Sequence, residues 1–405
     1  MKKLFVFTDQ YPYGTGESFF ETELSYLEKR FSVTIITMAA KSDIYRKVSP
    51  ETQIISYQDQ KSPRIVIQSL FLALKNLRRE KLSFVDLSRR KDAIHFFGWS
   101  YRFMTFLKQK KLLIDDAIYY TYWHKQQTLA LVLAKKYLNW KPCRIVSRIH
   151  GHDLYKERTK NNYQPFKRSL LQDIDALYFI SRAGEVYYEE NYGSKPKHEV
   201  QYLGVRTTYD AQSFHLSKSH TIVTCSALIP LKRVDIIIDA LSLLKTPIHW
   251  VHFGTGPLQN CLQEQAEKKL VENKRITYQF MGQVKNDKIH EFYRNNQVDL
   301  FINTSSSEGV PISILEALSY GIPSLATDVG GSKEALLNQN FLLPADVTPE
   351  ELAKRMEAFF LLPFEQQFQY RKAATNLWKS RFNSEIQFTK FALLLAGGTE
   401  QINKL

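Results

Sequence analysis

Short apolar runs rich in Val, Ile and aromatic residues recur along the chain, separated by stretches whose apolar positions return at helical spacing. That alternation predicts βαβ units wound around parallel sheets. In the first half the runs predict strands over Leu4–Thr8, Val33–Thr37, Ala117–Tyr122, Arg144–His150, Ala176–Ile180 and Glu199–Leu203. In the second half they predict strands over Thr221–Cys225, His249–Phe253, Thr277–Met281, Leu300–Asn303 and Ser324–Ala326. Helices are predicted over Phe19–Lys29, Gln126–Tyr137, Val234–Leu244, Leu258–Leu270, Ile289–Asn295 and Ile312–Ser319, and again in the tail from about Pro363. Gly204–Ser219 has no strong apolar period, so the domain boundary is placed there. The fold class is α/β, with a doubly wound domain over 1–205 and a second over 206–385. In such sheets ligands bind at the carboxyl ends of the strands.

The length of 405 residues agrees with two domains, since single cores stop growing at roughly 250–300 residues. No stretch reaches the roughly 18–20 uninterrupted apolar residues of a spanning helix. The N-terminal run Leu4–Phe7 meets Asp9 too soon for a secretory signal and reads as a buried strand. Cys143, Cys225 and Cys261 lack metal-ligand spacing and read as buried small hydrophobes, which suits a reducing cytoplasm.

Charge changes the picture only in the first half. Residues 1–205 hold 34 Lys/Arg against 21 Asp/Glu, a net of +13, whereas the second half is near neutral. Residues 61–111 alone hold 13 basic and 3 acidic residues, including Arg78-Arg79, Arg89-Arg90-Lys91, Lys108 and Lys110-Lys111. They are interleaved with Phe71, Phe84, Phe96, Phe97, Trp99, Tyr101, Phe103 and Phe106, a combination suited to an anionic membrane surface. The other reading makes the aromatics core and the charges solvated. No nucleic-acid-binding module accompanies the charge.

The most informative chemistry lies in Ser305-Ser306-Ser307-Glu308-Gly309-Val310-Pro311 and the helix that follows. A strand enters a small-residue loop, and Pro311 suits the first helical position. The Gly309 and Val310 amides at the helix start offer a seat for an anion. Glu308 lies beside that seat and Glu316 just beyond the first turn, where a carboxylate can accept from paired hydroxyls. Two acids around a phosphate repel the ligand unless each holds a hydroxyl, which points to a sugar on each side of a diphosphate. Gly14-Thr15-Gly16 follows the first strand, where a glycine loop either approaches a phosphate or simply turns the chain into a helix.

This segment resembles the Glu-x7-Glu signature of retaining glycosyltransferases with the GT-B fold, the group 1 glycosyl transferases, of the type that builds bacterial surface glycans. Gly254-Thr255-Gly256-Pro257-Leu258, Met281-Gly282, Gly321 with Pro323, and Val329-Gly330-Gly331 with Glu334 stand in the family's order. The resemblance covers essentially the whole chain. It implies two Rossmann-like domains facing a cleft, with a helix over 386–405 returning to the N-terminal, acceptor-binding domain. It also implies that Glu316 holds the donor ribose, Glu308 the hydroxyls of the transferred sugar, and the peptide N–H groups near Gly309 and Val310 the sugar and diphosphate, with Pro311 in the same donor site. Lys232 matches the cation that neutralises the leaving group, Gly254 and Gly256 belong to the donor site, and Gly14 and Gly16 to a loop over donor and acceptor. His150 matches the histidine beside the transfer centre, with His152 as the alternative. The chain departs from the family at Ser226-Ala227, where Gly-Arg is usual, and Arg233 is a candidate to replace that arginine.

Asp173-Ile174-Asp175 imitates an Asp-x-Asp metal motif but ends a helix and enters a strand, so it reads as structural, and neither metal nor other cofactor is expected. The implied function is transfer of a hexose from a nucleotide donor, UDP-linked by family frequency, to a glycan or polyprenyl-linked acceptor. The site would be cytoplasmic, with the enzyme peripheral on the inner membrane. The alternatives are a non-catalytic sugar-nucleotide-binding subunit of the same fold, or an epimerase or phosphorylase on it.

Overall fold

The computed structural model describes residues 1–14, 16–59, 62–80, 82–83, 85–194, 198–207, 215 and 219–397, with only the backbone of Arg79. Thr15, Lys61 and Phe84 therefore lie outside the described residues, as do 398–405 of the terminal segment. The chain divides into two compact units, one formed by Met1–Leu203 with Ser384–Leu405, the other by Gly204–Asn383.

In the first unit seven strands form one parallel sheet in the order β3-β2-β1-β4-β5-β6-β7. They are β1 (Lys2–Thr8), β2 (Phe31–Thr37), β3 (Gln53–Ser56), β4 (Ile118–Thr121), β5 (Arg144–Ile149), β6 (Ala176–Phe179) and β7 (His198–Val200). The helices are α1 (Ser18–Leu27), α2 (Pro63–Asn76), α3 (Leu87–Gln109), α4 (Gln126–Leu138), the short α5 (Gly151–Leu154), α6 (Lys167–Asp173) and α7 (Arg182–Tyr192). Strands buried on both faces read as continuous apolar runs, and β1 shows why. Phe5 and Phe7 enter the core shared with α3 and α4, whereas Leu4 and Val6 enter the opposite core.

The second unit holds a six-stranded parallel sheet in the order β10-β9-β8-β11-β12-β13. Its strands are β8 (His220–Cys225), β9 (Ile248–Phe253), β10 (Ile276–Phe280), β11 (Leu300–Asn303), β12 (Ser324–Thr327) and β13 (Leu342–Leu343). Helices α8 (Val234–Ser242), α9 (Gln259–Leu270), α10 (Asn286–Asn295), α11 (Ile312–Ser319), α12 (Pro349–Phe360) and α13 (Phe364–Leu377) belong to it. Val205 is tied here, through its N–H to Phe382 O at 2.8 Å and its carbonyl to Trp378 Nε1 at 3.0 Å.

The chain then returns to the first unit as α14 (Ser384–Ala396), two residues earlier than the sequence pattern suggests. Phe391, Ala392, Leu394 and Leu395 of α14 complete the core on the Leu4 and Val6 face. Beneath it Arg148 of β5 forms a fully buried ion pair with Glu23 of α1, its guanidinium 3.9 Å from the Phe391 ring centroid.

Three expectations change. Cys143 and Cys261 are exposed, on the loop before β5 and on the solvent face of α9, and Cys225 is half-buried. Pro311 precedes α11 as its N-cap, with φ −70° and ψ 109°, rather than occupying its first turn. The aromatics of 61–111 divide: Phe96, Phe97, Phe103 and Phe106 of α3 are core, and Trp99 and Tyr101 are partly buried against it. Exposure falls instead on α2, where Val66 (41%), Ile67 (68%), Leu70 (48%), Phe71 (68%) and Leu74 (51%) form one stripe. Among the described residues, no helix is long and apolar enough to cross a membrane.

Candidate functional site

In the second unit two loops at the carboxyl end of the sheet are knitted together. The loop after β8 turns through Pro230–Lys232, and Arg233 takes a left-handed conformation, φ 47°, to begin α8. That conformation is uncommon for a residue with a Cβ. It is fixed from both sides: Arg233 Nε donates to Thr304 O at 2.6 Å and Nη2 to Ser305 O at 3.3 Å. Thr304 Oγ1 bonds back to the carbonyls of Lys232 and Arg233 at 3.1 and 3.0 Å. Arg233, one candidate from the sequence for the second diphosphate cation, therefore uses its guanidinium to brace the loop. Ala227, where the family has arginine, is exposed.

This brace sets Lys232 against the loop after β11. Its Nζ lies 2.5 Å from Glu308 Oε1, with side-chain exposures of 20% and 10%. The same oxygen accepts from Ser305 Oγ at 2.6 Å and Asn303 Nδ2 at 3.3 Å. Gly309 and Val310 follow, and among the described residues no acceptor takes their N–H groups. The Gly309 carbonyl is held by Gly331 N at 2.7 Å. Unpaired amides beside an ammonium favour an anion.

Glu316 stands on α11, buried, with Oε1 accepting from Asn286 Nδ2 of α10 at 2.8 Å. His290, one turn along α10, places Nε2 4.0 Å from that oxygen and bonds Tyr320 through Nδ1 at 3.0 Å. Asn286 and His290 carry no sequence signal, because neither belongs to a recognisable motif. Burial pushes the Glu316 carboxyl up to about 7, with the Asn286 hydrogen bond opposing. In the fold this acid keeps its proton where the unfolded chain has lost it, so stability falls as pH rises from the ordinary carboxylate range through 7. At pH 8, Glu316→Gln is expected to be more stable than the parent by about 3 kcal/mol, the difference vanishing below pH 4. Urea denaturation at both pH values checks this, and a pH-independent difference would count against it.

Gly254 and Gly256 have a packing reason. A Cβ on Gly254, at φ +136°, would lie 1.9 Å from Ser226 O, and one on Gly256 2.4 Å from Leu228 O. Only glycines let the loop after β9 lie on the loop after β8, where Leu228 N bonds Thr255 O at 3.0 Å.

In the first unit His150 caps α5 and is 5% exposed. Its Nε2–H donates to Tyr122 O at 3.1 Å, and the ring packs on Tyr122 and Trp123. Burial, helped by Arg148, holds it far below the usual histidine range, so the imidazole is neutral. His152 is exposed.

The glycine loop differs from a phosphate cradle. The N–H groups of Asp9, Gln10 and Tyr11 converge at 2.7–2.9 Å on the carboxylate of Glu17, which also accepts from Trp123 Nε1 at 2.5 Å. The amides that a phosphate needs are filled from within the chain, and Gly14 and Gly16 fold over the Gln10 side chain instead. Of the Asp-x-Asp pair, Asp175 Oδ2 accepts from Ile145 N at 2.7 Å, pinning β5 to the start of β6.

Residues 205–377 match the family described as glycosyl transferases group 1. The O-antigen biosynthesis glycosyltransferase WbnH of Escherichia coli is 29% identical over 194 residues, 47% of this chain and 52% of that one. The chain thus spans about half the length of the curated relatives it first matches. Among solved structures, HepE of Anabaena in complex with UDP and glucose aligns over 98% of this chain and 100% of its own, with a TM-score of 0.65 and 18% identity. The lipopolysaccharide outer core galactosyltransferase WaaB, in its apo form, aligns over 98% and 99% with a TM-score of 0.68 and 16% identity. The fold is the GT-B architecture of these proteins, with two Rossmann-like units.

Proposed function

We propose that the chain is a retaining glycosyltransferase that moves a hexose from a nucleotide donor to a glycan or lipid-linked glycan of the cell surface. The observation that carries this reading is the approach of Lys232 to Glu308 beside the unpaired Gly309 and Val310 amides, with Glu316 on the helix that follows, α11. Lys232 and the amides of Gly309 and Val310 bind the diphosphate, and Pro311 fixes the chain where it enters α11. Glu316 accepts the ribose hydroxyls through its second oxygen, and Glu308 those of the sugar. The ammonium steadies the charge that grows on the leaving diphosphate. The acceptor attacks from the same face, and the departing phosphate oxygen takes its proton.

The donor to test first is a UDP-hexose, because HepE, a protein of this fold, holds UDP and glucose. Lys232 supplies the cation, so the reaction is read as independent of added metal and cofactor. The experiment is nucleoside diphosphate release from UDP-, GDP- and ADP-hexoses with a glycan acceptor, in chelator, with the product's anomeric configuration read by NMR. Release restored only by Mn²⁺ or Mg²⁺ would overturn metal independence, an inverted anomer the mechanism, and no release the whole reading.

The polyprenyl-linked form of the acceptor lies at a membrane, and the exposed stripe of α2 supports a contact there. Its stripe of Val66, Ile67, Leu70, Phe71 and Leu74 is flanked by exposed Arg64, Lys75 and Arg78. Aliphatic and aromatic groups below a basic rim match the headgroup region of an anionic bilayer, here the cytoplasmic face of the inner membrane. Each basic residue contributes about 1 kcal/mol there, falling with salt. Sedimentation with liposomes should require anionic lipid, weaken at high salt, and be lost when Ile67, Phe71 and Leu74 become Ser. Undiminished binding of that variant would return the contact to Arg89, Arg90 and Lys91. No binding by the parent would favour a soluble acceptor.

A further inference from the structure

We propose that Ser305 is a positioning residue that keeps Glu308 in place when Lys232 leaves it for the donor's diphosphate, an inference that rests on the transferase reading above. One oxygen, Glu308 Oε1, receives three donors: Lys232 Nζ at 2.5 Å, Ser305 Oγ at 2.6 Å and Asn303 Nδ2 at 3.3 Å. Among the described residues no donor reaches Oε2, which is the atom left for a sugar hydroxyl.

The three donors are not equivalent. Lys232 ends a flexible stem and carries the charge that a diphosphate competes for. Ser305 is 1% exposed and held at every polar atom. Its N–H donates to Asn303 Oδ1 at 3.0 Å, and its carbonyl accepts from Thr327 Oγ1 at 2.5 Å and Arg233 Nη2 at 3.3 Å. Its hydroxyl therefore points one way. Asn303 closes the same ring from the end of β11, holding both Ser305 N and Glu308.

When the diphosphate draws the ammonium off, Glu308 loses its counterion but keeps two neutral donors on the oxygen it already used. Without the Ser305 hydroxyl the carboxylate follows the ammonium or turns to water, and Oε2 no longer meets the sugar. A neutral hydroxyl adds no charge to the site, so its contribution is direction alone.

Steady-state kinetics on the whole chain, with calorimetry of nucleoside diphosphate binding, separates this from a structural role. Ser305→Ala is expected to lower kcat about 10- to 100-fold, as small misplacements of reacting groups do, while KM and nucleotide affinity stay within about twofold. Ser305→Thr, which keeps the hydroxyl, should recover most of the loss, and both variants should melt close to the parent. A crystal of the parent with a nucleoside diphosphate should show Lys232 on the diphosphate and Glu308 still on Ser305. An unchanged kcat in Ser305→Ala, a parallel fall in nucleotide affinity, or Glu308 following Lys232 in that crystal would overturn the inference alone. A parent that neither releases nor binds any of the nucleotides would overturn the transferase reading and this inference with it.

Discussion

Lys232→Ala should lower turnover by about 10²–10³-fold, the loss that follows removal of one preorganised charged partner of a developing anion. The argument is local. Nζ has two anionic claims on it, Glu308 Oε1 at 2.5 Å and the seat beside the Gly309 and Val310 amides. Removing it weakens the stabilisation of the leaving diphosphate and leaves Glu308 a largely buried carboxylate without its counterion. Glu308→Ala should lose turnover to a similar degree with little effect on nucleotide affinity, because the proposed reading gives it the sugar and not the nucleotide. Lys232→Ala should weaken both. Since the two residues form one pair, the double variant should fall well short of the product of the single losses. Turnover and nucleoside diphosphate affinity measured across the four proteins check all of this. Parent-level activity in either single variant would remove the site assignment.

Glu23→Ala should destabilise the first unit by about 3–5 kcal/mol, the range for removing one partner of a buried ion pair. Both side chains are fully excluded from water, and Arg148 Nε and Nη2 already have no partner. Tyr120 donates to Glu23 Oε1 at 2.9 Å, so the substitution strands that hydroxyl as well. Burial pushes the Glu23 carboxyl up, opposed by Arg148. The guanidinium left behind sits against Phe391 with nothing to neutralise it. Replacing the pair together, as Glu23→Leu with Arg148→Met, should restore most of the loss, since an apolar pair of similar volume carries no desolvation penalty. Urea denaturation followed by hydrogen exchange in β4 and β5 reads the effect. A loss below about 1 kcal/mol for Glu23→Ala would mean that water reaches the pair.

The parallel sheets were legible because strands buried on both faces must be continuously apolar, and runs such as Leu4–Phe7 and Leu300–Ile302 have no other use. The edge strand β3 was not, since Gln53–Ser56 is only half-buried and bounded by polar residues. The interleaving of aromatics and basic residues over 61–111 left open which aromatics are covered and by what. A second helix, α2, lies over α3 and takes the outward position, so the exposed stripe belongs to it. At the site, Glu308 and Glu316 stand out because they flank a helix start within one short segment. Asn286 does not, since a hydrogen-bond partner delivered by a separate element leaves no spacing to read, and nothing in the run Ser305-Ser306-Ser307 says which hydroxyl turns to Glu308. Glu17 was invisible for the same reason: its carboxylate matters only once three amides have been turned toward it.

The return of α14 to the first unit sets an order on synthesis. As the ribosome extends the chain, Met1–Leu203 emerges first but lacks Phe391, Ala392, Leu394 and Leu395, which line one face of its sheet. Gly204–Asn383 is continuous and has every strand of its own sheet by the time Asn383 has left the tunnel. The unit made second can thus finish first, while the nascent first unit waits with an open apolar face and with Arg148 beneath it. A chain ending before Ser384 would leave that apolar face of the first unit without Phe391, Ala392, Leu394 and Leu395.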